Sequence, residues 1–321
     1  MPPAHPIIAV TRTIPGSITI QNATIRQGTN DLMPRERLLE HALGAHVLVT
    51  MYTDKIDDAA LDAIGPQLMG VCNFAVGVDN IDLAACQRRN IKVGNTPDAV
   101  TEGTANMALA LLLASARRLV EGDRFARTGA WQKRGPMGMA EFMGLDICGK
   151  LLLIVGAGRI GYATASRAMA FGMRVGYVAR NRHTEFELAP LAARRYELDE
   201  GMAVADVVSL HTPLTPDTHH LINARRLGLL KPTAILINTA RGPIIDESAL
   251  VEHLRARKIW GAGLDVFEKE PALAQGLAEL DNVVMTPHLG SAEQRWRELM
   301  AQMVQENCVA ILDGRDPPHA V

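Results

Sequence analysis

The sequence predicts an α/β protein built from two doubly wound parallel-sheet domains. Three observations predict it. The chain has 321 residues, enough for two domains. Apolar strand-like runs alternate with helix-like stretches along most of it. Near the middle, one such run passes into a helix through a glycine-rich turn.

In the first part, strands are predicted at Ile7–Val10, Ile18–Ile20, His46–Thr50, Met69–Phe74 and Ile91–Gly94, with helices at Arg35–Leu43 and Leu83–Arg89. That alternation predicts a parallel sheet with helices on both faces. A long helix begins near Thr101 and runs past Arg118. Its segment Met107–Ala114 is the longest uninterrupted apolar run and is far too short to span a bilayer. It reads as core and subunit packing. Six further strands are predicted near residues 151, 174, 206, 234, 261 and 282, the number a complete dinucleotide-binding domain needs. A last helix, Ala292–Leu312, carries Leu299, Met303 and Val304 as packing residues and returns the chain to the first domain.

The glycine turn carries the first chemistry. Leu151–Val155 reads as a buried strand, followed at once by Gly156-Ala-Gly158-Arg159-Ile160-Gly161 and a helix to Phe171, with Gly172 as its C-cap. A bare G-x-G-x-x-G is weak evidence, but strand before and helix after are the context of the dinucleotide fingerprint. The glycines let backbone approach a pyrophosphate, and the helix N-terminus offers free N–H donors. An NAD-binding domain places an acid at the end of its second strand, about 20 residues on, for the ribose 2′-OH. Here Arg174–Val178 ends in Ala179-Arg180-Asn181-Arg182-His183, with no acid. Arg180 and Arg182 suit a 2′-phosphate, so NADP(H) is expected over NAD(H), which stays possible.

Three later segments each follow an apolar strand-like run: Asn238-Thr-Ala-Arg-Gly242, Phe267-Glu-Lys-Glu-Pro271 and Thr286-Pro-His-Leu-Gly290. Ligands of an open parallel sheet bind at the carboxyl ends of its strands. Arg241, Glu270 and His288 are therefore expected to face one crevice. A guanidinium, a carboxylate and an imidazole together can bind an anion, orient a proton donor and deliver a proton. The plainer alternatives are an ion pair, a helix-terminal acid and a loop histidine.

Composition narrows the class. The chain is 48% hydrophobic and 21% charged with a formal net charge of −2, so no overall basic field attracts nucleic acid or an anionic membrane. Cys72, Cys86, Cys148 and Cys308 show no C-x-x-C or metal-ligand spacing, no metal is expected, and a reduced, cytoplasmic compartment is the simplest expectation. The N-terminal segment has no secretory pattern.

These residues, with Asn73-Phe-Ala-Val-Gly-Val-Asp-Asn-Ile-Asp82, Asn95-Thr-Pro97, Ala105–Gly129 and His211-Thr-Pro-Leu-Thr215, resemble the D-isomer-specific 2-hydroxyacid dehydrogenases over nearly the whole chain. Within them the chain is most similar to the glyoxylate/hydroxypyruvate reductases. The resemblance implies a flavodoxin-like substrate domain (1–98 with 289–321), a Rossmann domain (99–288) and an active site in the cleft. It also implies a homodimer paired through the inserted domain and the long helix. Residue by residue it implies His288 as proton donor, Glu270 as its partner and Arg241 as substrate anchor, with Val76 and Gly77 offering N–H groups to a substrate carboxylate. For the cofactor it implies Thr104, the glycine turn from Gly156 to Gly161 with Arg159 and Ile160, Ala179 to Arg182, His211, Thr212, Pro213, Thr218, Thr239, Ala240, Arg241, Asp265, His288 and Gly290. The expected reaction reduces glyoxylate to glycolate or hydroxypyruvate to D-glycerate. A 2-ketogluconate reductase, a phosphoglycerate dehydrogenase and a non-enzymatic dinucleotide-sensing corepressor are the alternatives. No C-terminal regulatory domain supports the second, and short termini argue against the third.

Overall fold

The computed structural model describes residues 3–321, which divide into two compact units. One comprises the chain up to Val100 together with Ser291–Val321; the other is Thr101–Gly290.

The first unit runs β1 Ile7–Val10, β2 Thr24–Gln27, α1 Arg35–Ala42, β3 Val47–Thr50, α2 Asp58–Ile64, β4 Gly70–Asn73, α3 Leu83–Arg88 and β5 Lys92–Gly94. The strands form an all-parallel sheet in the order β2-β1-β3-β4-β5. Alternate side chains face opposite ways. Ala9, Leu48 and Val71 pack on α1–α3 through Leu38, Leu61, Ile64 and Ala85. Val47, Val49 and Cys72 pack on the C-terminal helix Gln294–Leu312 through Met300, Val304 and Ile311. That helix lies so close to the sheet that a Cβ at Gly70 would stand 2.6 Å from Ile311 Cδ1.

One expected strand is absent. Ile18–Ile20 is loop, and the edge strand is Thr24–Gln27 instead. Ile18 is buried in the core without ladder bonds, so its apolar signal is packing. β2 pairs on one side only and is polar and partly exposed, so it leaves no apolar run to read.

The second unit contains α4 Thr101–Ala116, α5 Leu119–Arg127, α6 Ala130–Arg134, β6 Leu151–Val155, α7 Arg159–Ala170, β7 Arg174–Val178, α8 Thr184–Glu187, β8 Arg194–Arg195, α9 Leu198–Val204, β9 Val207–Leu210, α10 Ala224–Leu227, β10 Ile235–Asn238, α11 Glu247–Arg255, β11 Gly261–Leu264 and β12 Val283–Met285; the C-terminal helix is then α12. Its seven parallel strands lie in the order β12-β11-β10-β9-β6-β7-β8. The six expected strands are present, with β8 added at the edge. Counted from β6, the order is that of a doubly wound nucleotide-binding sheet, whose direction switches between β6 and β9. Leu152, Ile154, Val207 and Ile237 pack on α4 and α7. Leu153, Val208, Leu236 and Leu264 pack on the opposite side with Leu250 and Leu254 of α11.

The long helix is shorter than expected. α4 stops at Ala116, Arg118 takes φ 53°, and the chain turns into α5 and α6, neither of which has a buried residue. α4 itself is mostly buried within its own unit.

Candidate active site

The sheet's switch point is built by close backbone approach. Gly156 follows β6 with φ 104°, and a Cβ there would stand 2.7 Å from the backbone of His211, which follows β9. Only glycine fits such a turn. Gly158 is the N-cap of α7, and a Cβ there would meet nothing within 4 Å. Gly161 lies against β6, where a Cβ would be 2.4 Å from the Gly156 carbonyl oxygen. Arg159, Ile160 and Gly161 form the first turn of α7, whose N–H groups have no partners within the helix. Open space before those donors is the cradle a pyrophosphate needs.

Two further features fit a dinucleotide. The hydroxyls of Thr212 and Thr239, after β9 and β10, are buried polar atoms without a hydrogen-bond partner. A buried hydroxyl is costly until something pairs with it. His211 is held through Nε2 to Ser209 Oγ at 2.8 Å, and burial pushes its imidazole down to about 3, leaving it neutral. Pro213 is exposed beside it. The Thr218 hydroxyl is spent within its own loop, on the Pro213 carbonyl at 2.7 Å and the Thr215 N–H at 2.8 Å.

After β7, the carbonyls of Ala179 and Arg180 both accept from Arg195 at 3.0 Å, which fixes the turn. Arg180 and Asn181 are exposed. Arg182 binds Glu187 at 2.6 Å, and Glu187 also accepts the Tyr177 hydroxyl at 2.6 Å. The hydrogen bond from Tyr177 first, then that from Arg182, holds the Glu187 carboxyl below its ordinary value. The turn therefore has an acid near it after all, reached from a helix rather than from the strand end. Arg182 is occupied by it, while Arg180 is exposed and has no acidic side chain bonded among the described residues.

The charged groups gather at the ends of β10, β11 and β12. Asn238 closes the turn that bears Arg241: its side chain accepts from the Ala240 N–H at 3.0 Å and donates to the Arg241 carbonyl at 2.9 Å. Arg241 Nη1 donates back to the Ala240 carbonyl at 2.8 Å. Glu270 is fixed at both oxygens: Oε1 accepts the Phe267 N–H at 3.0 Å, and Oε2 lies 2.9 Å from His288 Nδ1. Burial alone pushes the Glu270 carboxyl up, but the His288 hydrogen bond and charge, the Phe267 N–H and the Arg241 charge outweigh it. Glu270 ends below its ordinary value and is anionic at neutral pH. His288 has φ 57°, a left-handed conformation unusual for a non-glycine and one that gathers at functional sites.

Asp265 supports that conformation. It is 1% exposed, and its carboxylate accepts the Thr286 hydroxyl at 2.6 Å and the Leu289 and Gly290 N–H groups at 2.7 Å each. The His288 N–H bonds the Asp265 carbonyl at 2.8 Å. Burial pushes the Asp265 carboxyl upward against the pull of those donors. Thr104 is close by: a Cβ on Gly290 would lie 3.1 Å from Asp265 Oδ2 and 3.3 Å from Thr104 Oγ1.

In the first unit, Asn95 Nδ2 donates to the Val76 carbonyl at 2.8 Å and Asn73 Nδ2 to the Gly77 carbonyl at 2.7 Å. In a trans peptide the N–H points opposite to the C=O. The two peptides so held carry the N–H groups of Gly77 and Val78. Sequence reasoning assigned no role to Asn73, Asn95 or Asn238. Each lies inside or beside a motif that was read, and nothing in composition or period distinguishes a carbonyl-holding amide from a surface one.

Among the described residues, no group of His, Cys, Asp and Glu could hold a metal ion, and no helix is long and apolar enough to cross a membrane.

A glycine-turn switch point of this kind is the mark of a nicotinamide dinucleotide-binding fold, and comparison with known proteins gives the family. Residues 109–290 match the family model described as D-isomer specific 2-hydroxyacid dehydrogenase, NAD binding domain. The chain is 49% identical over 291 residues to a glyoxylate reductase of Thermococcus onnurineus, covering 89% of this chain and 86% of that one. It is 48% identical over 295 residues to a glyoxylate reductase of Pyrococcus horikoshii, covering 92% and 88%. Among solved structures, a Thermus thermophilus protein superposes with TM-score 0.91 at 44% identity, covering 98% of this chain and 99% of that one. An NADPH-dependent glyoxylate/hydroxypyruvate reductase of Sinorhizobium meliloti, solved with NADP and malonate, does so with TM-score 0.84 at 30% identity, covering 98% and 96%. The chain belongs to the D-isomer-specific 2-hydroxyacid dehydrogenases and is an NAD(P)-dependent oxidoreductase.

Proposed function

We propose that the protein reduces small 2-keto acids, glyoxylate to glycolate and hydroxypyruvate to D-glycerate, with NADPH preferred over NADH. The observation that carries this reading is the His288–Glu270 pair at 2.9 Å, with Glu270 anchored by the Phe267 N–H. A bound reduced nicotinamide supplies the hydride. The chain supplies the rest. Glu270 engages Nδ1, so the other ring nitrogen, Nε2, presents the proton to the growing alkoxide. The carboxylate favours the charged imidazolium, since opposite charges at this distance stabilise each other. Arg241 offers a planar fork to the substrate carboxylate and positive charge to the developing oxyanion. In the first unit, the N–H groups of the peptides held by Asn73 and Asn95 are suited to bind a carboxylate. Asp265 holds the His288 loop through the Leu289 and Gly290 N–H groups and would help to hold the nicotinamide end of the cofactor.

In this reading residues 1–98 with 289–321 form the substrate domain and 99–288 the cofactor domain, in a reduced, cytoplasmic enzyme. Arg180 supports the NADPH preference, and the relative from Sinorhizobium, solved with NADP, agrees with it. The enzyme works as a homodimer. Its interface is formed by the Thr101–Arg118 region and continues onto the α5–α6 arm, where Leu119 is 62% exposed and Trp131 52% and no residue of either helix is buried. Light scattering at micromolar concentration is expected to give twice the chain mass. The function itself is tested by steady-state assays of glyoxylate, hydroxypyruvate and larger keto acids with each cofactor. Turnover of glyoxylate with a lower Michaelis constant for NADPH than for NADH is expected; no turnover of any keto acid refutes the reading.

A further inference from the structure

Behind the charged groups, the loops that carry Arg241 and Glu270 are clasped to each other. Gly242 sits so close to the second loop that a Cβ would stand 1.9 Å from the Phe267 carbonyl. Just beyond, two glutamates exchange backbone bonds across the loops. The Glu268 N–H donates to Glu247 Oε1 at 2.6 Å, and the Glu247 N–H donates to Glu268 Oε2 at 3.3 Å. Glu247 is the first residue of α11, whose own N-cap is Asp246. A side chain from another loop thus satisfies an orphan N–H of that helix, a capping box made between segments rather than within one. Its charge is also favoured at a helix N-terminus.

The clasp has a third arm. His220 Nε2 lies 3.0 Å from Glu268 Oε1, and the His220 N–H donates to the Pro243 carbonyl at 2.8 Å. One side chain, Glu268, therefore joins the loop after β9, the turn after β10 and the loop after β11. Phe267, whose N–H sets Glu270, is its chain neighbour.

Glu247 stands out energetically. It is a glutamate only 3% exposed, with no cation bonded to its side chain among the described residues. Burial first, then the charges of Glu268 and Glu270, push its carboxyl above its ordinary value. A chain does not bury an acid beside two others for stability alone.

We infer that Glu247 and Glu268 are positioning residues for the reduction proposed above, on which this inference rests. They lock the Glu270 loop in register with the Arg241 turn, so that the carboxylate stays within bonding distance of His288. The charged groups around Glu270 are His288, Arg241 and Glu247, and those around Glu268 are His220 and Glu247.

The test compares wild type, Glu247→Ala and Glu247→Gln. Alanine removes both acceptors; glutamine keeps one. For Glu247→Ala, kcat for keto-acid reduction is expected to fall about tenfold or more, since small misplacements of a catalytic group are costly. The alkaline limb of its pH profile moves to lower pH, while NADPH still binds. Glutamine is expected to recover part of the loss. Amide hydrogen exchange by mass spectrometry should rise at residues 266–274 in the alanine variant alone. Wild-type kcat and an unmoved limb in Glu247→Ala overturn the inference, as does equal loss in both variants with no change in exchange. If wild type reduces no keto acid, the functional reading fails and the exchange data still decide the clasp. If Glu247→Ala does not fold, Glu268→Ala carries the same test with the same outcomes, because Glu268 is partly exposed.

Discussion

At the carboxyl ends of the first sheet, polar side chains hold one another and hold backbone. Thr11 donates to Asp54, Thr50 to Asn73, Asn73 to the Gly77 carbonyl and Asn95 to the Val76 carbonyl. At the carboxyl ends of the second sheet stand Arg241, Glu270, His288 and Asp265, together with the unpartnered hydroxyls of Thr212 and Thr239. Both sheets are parallel, covered on both faces and rich in aliphatic residues. The difference lies in what each asks of its strand ends. Amides aim peptides at little electrostatic cost, because they carry no net charge to desolvate. Charged groups with shifted protonation in a partly buried site are kept where chemistry uses them. The first unit prepares geometry; the second supplies reactive charge.

The largest expected effect removes that charge at its centre. In His288→Ala, turnover of glyoxylate should fall by about 10²–10⁴-fold, the usual worth of a positioned general acid. NADPH binding, followed by fluorescence, should persist. Turnover close to wild type would mean that the proton comes from elsewhere.

Glu270→Gln comes next, because it keeps shape and removes only charge. The Glu270 carboxyl lies below its ordinary value of 4.5, partly through the charge of His288. The interaction is reciprocal: an anion stabilised by the imidazolium stabilises the imidazolium equally. The variant should retain residual turnover, with the alkaline limb of its reduction profile moved to lower pH, because the anion that favours the imidazolium is gone. A limb that stays, or moves up, breaks the dyad assignment. The sign for stability is the opposite case: a depressed carboxyl stabilises the fold above its ordinary range, and that contribution is lost as pH falls through its lowered value.

The cofactor end of the same sheet gives a third, smaller effect. Arg180→Ala should cost about 1.5–3 kcal/mol of NADPH binding, roughly 10- to 150-fold in its Michaelis constant, with little change for NADH. Arg182→Ala should do less, because Glu187 already holds that guanidinium at 2.6 Å. Equal losses for both cofactors with Arg180→Ala would place the adenosine ribose elsewhere.

How much of this could be read beforehand follows the same division. Continuous aliphatic runs such as Leu151–Val155 and Ile235–Ile237 announced their strands, because a strand covered on both faces is apolar throughout. Thr24–Gln27 was illegible, since an edge strand needs only one partner and tolerates a polar sequence. The break after α4 was hidden for another reason: Arg118 adopts the left-handed conformation without being glycine or asparagine. Arg241, Glu270 and His288 could be singled out because each lies in a segment that follows an apolar strand run, where an open parallel sheet binds its ligands. Glu247 and Glu268 were not, because an acid at the start of a helix or in a loop is commonplace and only the fold brings these two together.

The smallest effect belongs to the first unit and sharpens the contrast most. Asn95 contributes no charge; it donates one hydrogen bond, 2.8 Å long, to the Val76 carbonyl. Removing it leaves the Gly77 N–H free to turn away from a substrate carboxylate. A neutral hydrogen bond is worth about 0.5–1.5 kcal/mol, so Asn95→Ala should raise the Michaelis constant for glyoxylate about 2- to 12-fold. The pH limbs should not move, because no titrating group is touched. The cofactor constants should not move either, because the Asn95–Val76 bond lies in the unit without the glycine turn. A change in kcat or in the pH profile would mean that the first sheet acts on the proton transfer itself. Steady-state profiles of this one variant across pH therefore separate aiming from chemistry.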